Sequence, residues 1–157
     1  HATALYGFME AYHRHVCPLS PMDRDRFVTE GVPAALLYGA KDPPLTEDDL
    51  ETLFEGMQPR LERSDIVFEF LGIMDKIVVI PLVSRPLNHL MVRASVELLP
   101  AKVREILGLD RGYKLPIGAA LLLRLLGSSV ERLRLVSTPA SQSCVRMGLP
   151  PDYLCPR

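Results

Sequence analysis

Four histidines, His1, His13, His15 and His89, are the side chains of this 157-residue chain best suited to carry chemistry. Neutral imidazole is the commonest protein ligand for a metal, and an axial haem ligand needs one ring nitrogen free inside an apolar, water-poor pocket. His1 opens the stretch "HATALYGFMEAYHRHV", in which Leu5, Phe8, Met9, Tyr12 and Val16 recur at helical spacings. At 100° per residue, His1, Leu5, Phe8, Tyr12 and His15 fall in one narrow arc. The pattern therefore predicts that His1 and His15 share the buried face, with His13 and Arg14 pointing away. A His on an apolar face is more often a satisfied core residue than a ligand, so periodicity alone leaves both readings open. A copper brace of N-terminal amine and imidazole is disfavoured, because such sites sit on β-sandwiches.

Other signatures exclude themselves. The rings of His13 and His15, at i and i+2, diverge on a helix and cannot share one metal. His89 follows Asn88 and reads as structural. Cys17 precedes Pro18 and reads as a helix-end filler, and the carboxylates of "EDDLE" read as a solvated helix face. The chain has no nucleophile elbow, phosphate loop, dinucleotide fingerprint, H-E-x-x-H or C-x-x-C.

Composition narrows the function classes further. The net charge is -1 with 24% charged residues, and the arginines form no stripe, so nothing favours nucleic acid. Cys17, Cys144 and Cys155 are odd in number and lack metal-type spacing, which argues against a disulfide framework or a zinc site and favours a reducing, cytoplasmic setting. No signal-peptide pattern is visible. The longest apolar stretch, "IVFEFLGIMDKIVVIPLV", contains Glu69, Asp75 and Lys76, costly inside a bilayer, so no membrane span is expected. It reads instead as a buried helix or the wall of an apolar pocket. Peripheral membrane contact through an amphipathic surface stays open.

The elements that must position these residues are helices. The first runs from Ala2 towards Cys17 and stops before Pro18. Ser20 caps a second helix with Pro21 at its first position and Asp23 in its first turn. Gly31, Pro33 and "AALLYGAKDPP" read as turn and connector. Thr46 and Asp49 form a capping signal, with Leu45 placed to staple to Leu50 and with Glu47, Asp48 and Glu51 facing solvent. Ser64 caps the apolar segment. Ile77 to Ile80 is a β-branched run without a partner strand, hence helix or irregular. A helix through Leu99, a break at Pro100 and a short helix ending at Gly108 follow. "LPIGAALLLRLLGSSVERLRLV" is a further long helix, weakened midway by Gly127. The tail reads as a short helix and a frayed end. The expectation is an all-α chain, residues 1–157 forming one helical domain with 137–157 loosely packed.

Three segments, "HATALYGFMEAYHRHVCPLS", "LTEDDLETLFEGM" and "RPLNHLMVRASVELLPAKVREILGL", together resemble the haem-dependent oxygenases related to MpaB and the latex clearing proteins, or rubber oxygenases. The matching motifs are His1-Ala2-Thr3, Pro18-Leu19-Ser20, Arg85-Pro86-Leu87, Leu98-Leu99-Pro100, Val103-Arg104-Glu105 and Gly108-Leu109. The resemblance implies the C-terminal portion of a larger helical fold holding haem b, with His1 as the iron ligand. It also implies O2-dependent cleavage of a carbon–carbon double bond in a hydrophobic, polyisoprenoid-like substrate. A pocket walled by the apolar helices beginning at Ile66 and Ile117 would suit such a chain. The family's upstream Arg, Thr and catalytic base have no counterpart here, so the catalytic residues are unknown, and weak haem affinity and impaired activity are expected of an N-terminally truncated chain. The competing reading is a non-catalytic helical domain whose apolar groove takes a lipid or a partner helix.

Overall fold

Prolines and polar caps cut the chain into the segments that their chemistry requires. In a computed structural model that describes residues 1–77, 85–110, 112–131 and 138–153, all regular structure is helical. The helices are α1 (Ala2–His15), α2 (Pro21–Glu30), α3 (Val32–Leu37), α4 (Glu47–Met57), α5 (Asp65–Lys76), α6 (Arg85–Leu98), α7 (Ala101–Leu107), α8 (Ala119–Glu131) and α9 (Pro139–Arg146), with a 3-10 turn at Gln58–Arg60. The all-α expectation is met.

Ser20, Thr46 and Thr138 cap as their residue types dictate, whereas Ser64 holds the N-cap position of α5 without a side-chain cap hydrogen bond among the described residues. The Ser20 hydroxyl accepts from the Asp23 N–H, and at α4 the Thr46 and Asp49 side chains each take the other's backbone N–H, closing the capping box. Gly108 ends α7 in the left-handed region at φ 72°, which glycine adopts without a Cβ penalty. Thr138 caps α9 by accepting from the Ser141 N–H, so the tail does contain the short helix.

Three expectations are corrected. The "AALLY" connector is the short helix α3, because Pro33 in the first turn pre-sets φ and needs no donor there. Leu45 is exposed while Leu50 is fully buried. Instead of stapling, Leu45 donates its N–H to the Asp49 carboxylate and accepts the Thr29 hydroxyl at its carbonyl. The apolar segment α5 has no fully buried residue, and Ile66 is 75% exposed, since α5 lies against α6 and leaves its other side uncovered. Residues 78–84, with most of the β-branched run, lie outside the described residues.

α1 is the hub. It packs on α2, α6 and α8, while α6 also meets α5, α7 and α8, and α2 meets α3 and α4. Met9, Val28, Leu50 and Leu109 are the largest fully buried side chains. Gly127 explains how α8 comes so close: a Cβ there would lie 2.3 Å from the His15 carbonyl oxygen and 3.3 Å from Val16 Cγ2. The glycine read as a weak point is thus the site where two helices cross. Among the described residues no helix is long and apolar enough to span a membrane.

Candidate functional site

The two ends of α1 carry the two imidazoles of interest, about 20 Å apart at 1.5 Å rise per residue. At the first end His1 occupies the N-cap position and is exposed. Its ring lies 6.3 Å from that of Tyr38, tilted by 40°. Around this end the apolar surface is open: Phe8, on the same side of the helix two turns on, is 71% exposed, and Leu37 at the end of α3 and Tyr38 just after it are also exposed.

This arrangement overturns the predicted face of α1. The arc of His1, Leu5, Phe8, Tyr12 and His15 is not the buried one, for His1, Phe8 and Tyr12 are exposed and Leu5 and His15 are half-buried. The buried residues are Met9 and Glu10, the latter only 5% exposed. A lone carboxylate could not be placed there, since taking an isolated charge out of water is costly. Arg24 from α2 makes it tolerable, with Nη2 2.5 Å from Glu10 Oε1, and Arg14 adds a bond of 2.8 Å to Glu10 Oε2. The same Arg24 guanidinium holds Glu47 of α4, so Glu47 faces an arginine rather than solvent. Burial alone would raise the Glu10 carboxyl, but the Arg24 hydrogen bond and the charges of Arg14 and Arg24 outweigh it and hold the pKa below its ordinary value. The hydrogen bonds to Glu47 and Glu10 raise Arg24 against a smaller opposing effect of burial. Glu10 and Arg14 at i, i+4 were a visible pair; that Arg24 would join them was not.

At the other end, α1, α6 and α8 enclose a cleft of about 650 Å³. Its walls include Val16, Leu87, Met91, Leu98, Leu123 and Leu126, with His15 and Ser95 among the few polar side chains. α8, one of the two apolar helices expected to wall a pocket, does so; α5, the other, contributes none of the described residues that line this cleft. His15 Nδ1 is buried without a hydrogen-bond partner among the described residues. Burial pushes the His15 pKa down, Arg14 adds to this and Glu97 opposes it, so the neutral ring is favoured.

The remaining histidines have local duties. His13 is half-buried rather than pointing into solvent. Its Nδ1 accepts the Leu19 N–H at 2.9 Å, which places the ring proton on Nε2 and ties down the α1–α2 turn. His89 Nδ1 lies 2.6 Å from Asp75 Oδ1, and its neighbour Asn88 donates to the Met74 and Asp75 carbonyls, so both residues fasten α6 to the end of α5. No group of three or more His, Cys, Asp or Glu side chains able to hold a metal ion occurs among the described residues.

Axial haem ligation asks for a single imidazole with an open ring nitrogen, and His1 fits that donor chemistry. It is exposed, no hydrogen bond from the described residues engages its ring, and the neighbouring surface is apolar.

The comparisons with known proteins bear on the whole of this arrangement. The family model described as "ER-bound oxygenase mpaB/B'/Rubber oxygenase, catalytic domain" matches residues 1–131. No curated protein and no solved structure matches the chain. With 131 of its 157 residues matched, both ends of α1 and every helix through α8 included, the chain belongs to the mpaB and rubber oxygenase catalytic-domain family.

Proposed function

We propose that this chain carries the haem-ligating part of an oxygenase that uses O2 on a hydrophobic alkene of isoprenoid type, with His1 as the axial ligand of haem b. The observation that carries the reading is the exposed His1 imidazole, which no hydrogen bond from the described residues engages, on an uncovered apolar surface. Membership in an oxygenase family supports the reaction class. When bound, the haem iron would supply the activation of O2. The chain's own part is to present the ring from the start of α1 and to offer apolar surface, from Phe8, Leu37 and Tyr38, against which a flat apolar group loses water. The catalytic residues remain unassigned.

Haem titration of the 157-residue chain, followed in the Soret region with His1→Ala in parallel, tests this. A weak but saturable imidazole-type spectrum is expected for the parent and its loss for the variant; identical spectra would remove His1 from the role. A second reading, a helical domain binding a lipid in an apolar groove, is favoured by one feature, the α1–α6–α8 cleft, and requires no iron.

A further inference from the structure

The cleft at the far end of α1 has a shape and a polarity that together describe a ligand. Its volume of about 650 Å³ lies within the roughly 300–1,000 Å³ of small-molecule sites. One wall is a single stripe of α6, Leu87, Met91, Ala94, Ser95 and Leu98, at helical spacing. From Leu87 to Leu98 that stripe is about 16 Å long at 1.5 Å per residue. α8 closes the cleft with apolar side chains, Leu123, Leu126 and Val130, and with Gly127.

Polarity is concentrated at one end. Arg14 donates to the Glu97 carbonyl at 2.9 Å, and Gly127 lies against the His15 carbonyl, so His15 stands at the Leu98 end of the stripe. The Ser95 hydroxyl is turned inward onto the Met91 carbonyl. The remaining polar rings are those of Tyr12 and, one turn on, His15, whose Nδ1 has no hydrogen-bond partner among the described residues. Among the described residues the charged groups around His15 are Arg14 on α1 and Glu97 on α6, and α8 contributes none to the cleft. A neutral imidazole accepts the proton of a carboxylic acid, and an imidazolium pairs with a carboxylate; in either form one proton is shared between the two groups.

We propose that the α1–α6–α8 cleft binds one aliphatic carboxylate of about a dozen carbons, a zigzag of single bonds of about 1.5 Å that matches the α6 stripe, with its carboxyl group at His15. This inference sharpens the lipid-groove reading and is independent of iron, because the cleft and His1 occupy opposite ends of α1. Because binding takes up a proton, affinity rises as pH falls through neutrality.

Calorimetric titration with dodecanoate below its micelle concentration, at pH 8 and pH 6, tests the site. One molecule per chain is expected, bound more tightly at pH 6. His15→Gln weakens binding at least tenfold and removes the pH dependence. Ser95→Phe, which fills the cleft from an exposed position of α6, abolishes binding while helicity by circular dichroism is retained. His1→Ala leaves binding unchanged, which separates this result from the haem titration. Absence of saturable binding, equal affinity and pH response in His15→Gln, or equal affinity in Ser95→Phe would each overturn the assignment.

Discussion

Both ends of α1 present an imidazole, yet only one of them is enclosed. His1 is exposed beside an uncovered apolar surface, whereas His15 is pressed against α6 and α8 with its Nδ1 buried. The two share one face of the same helix by periodicity, so their difference comes entirely from what other elements bring to them. At His15 the close approach of α8 at Gly127 removes water and lowers the ring's pKa. At His1 the nearest aromatic ring, Tyr38, is itself exposed and encloses nothing. An open ring nitrogen suits a ligand that brings its own apolar bulk, as haem does. A half-buried neutral ring suits a ligand that enters a cleft already formed.

The largest expected effect breaks the enclosed end. Gly127→Val places a side chain against the His15 backbone, and overpacking at a backbone contact costs about 3 kcal/mol or more in denaturant unfolding. If the variant folds, the His15 titration midpoint moves up towards the free value, while the His1 haem spectrum is unaffected. A variant as stable as the parent would show that α8 does not approach α1 so closely.

Between the two ends stands Glu10. Glu10→Gln leaves Arg24 with Glu47 as its remaining carboxylate partner and should cost about 3 kcal/mol, the lower end of what breaking a buried pair costs. Because the folded-state pKa of Glu10 is depressed, its contribution is present above the unfolded carboxylate pKa and is lost as pH falls through the lower folded value. Acid unfolding monitored by circular dichroism should therefore be flatter in Glu10→Gln than in the parent.

His15 acts in the same direction at higher pH. Its folded-state pKa is also depressed, so the fold is favoured while the ring is neutral in both states and loses stability as pH falls below the ordinary His value towards the folded one. His15→Gln should erase the part of the pH dependence that lies below the ordinary His value, with nuclear magnetic resonance of the ring as the direct check. The smallest effect belongs to the open end. His1→Ala should change stability by no more than about 0.5 kcal/mol, as surface substitutions do, and a larger loss would mean that the ring is held more firmly than its exposure indicates.

Much of the fold could be read from local chemistry. Ser20, Thr46, Pro100 and Gly108 act on their own neighbours in the chain, through a cap, a missing donor or a left-handed turn, and they fall where the residue types put them. The candidate site was legible in residue type but not in surroundings. Periodicity counts apolar residues and so turned Phe8 and Tyr12 inward, whereas packing leaves both exposed and buries Glu10. The order of motifs pointed to the oxygenase family, and the match over residues 1–131 agrees.

The sequence by itself determined where most helices other than α3 start and stop and which family they compose, because capping, proline geometry and motif order act within a few residues or along the chain. Tertiary structure alone decided which face of α1 is buried, that Arg24 would neutralise Glu10, and that Gly127 would let α8 close a cleft over His15. Each of these depends on the burial of charge or volume by residues distant in sequence, and no local pattern records that energy.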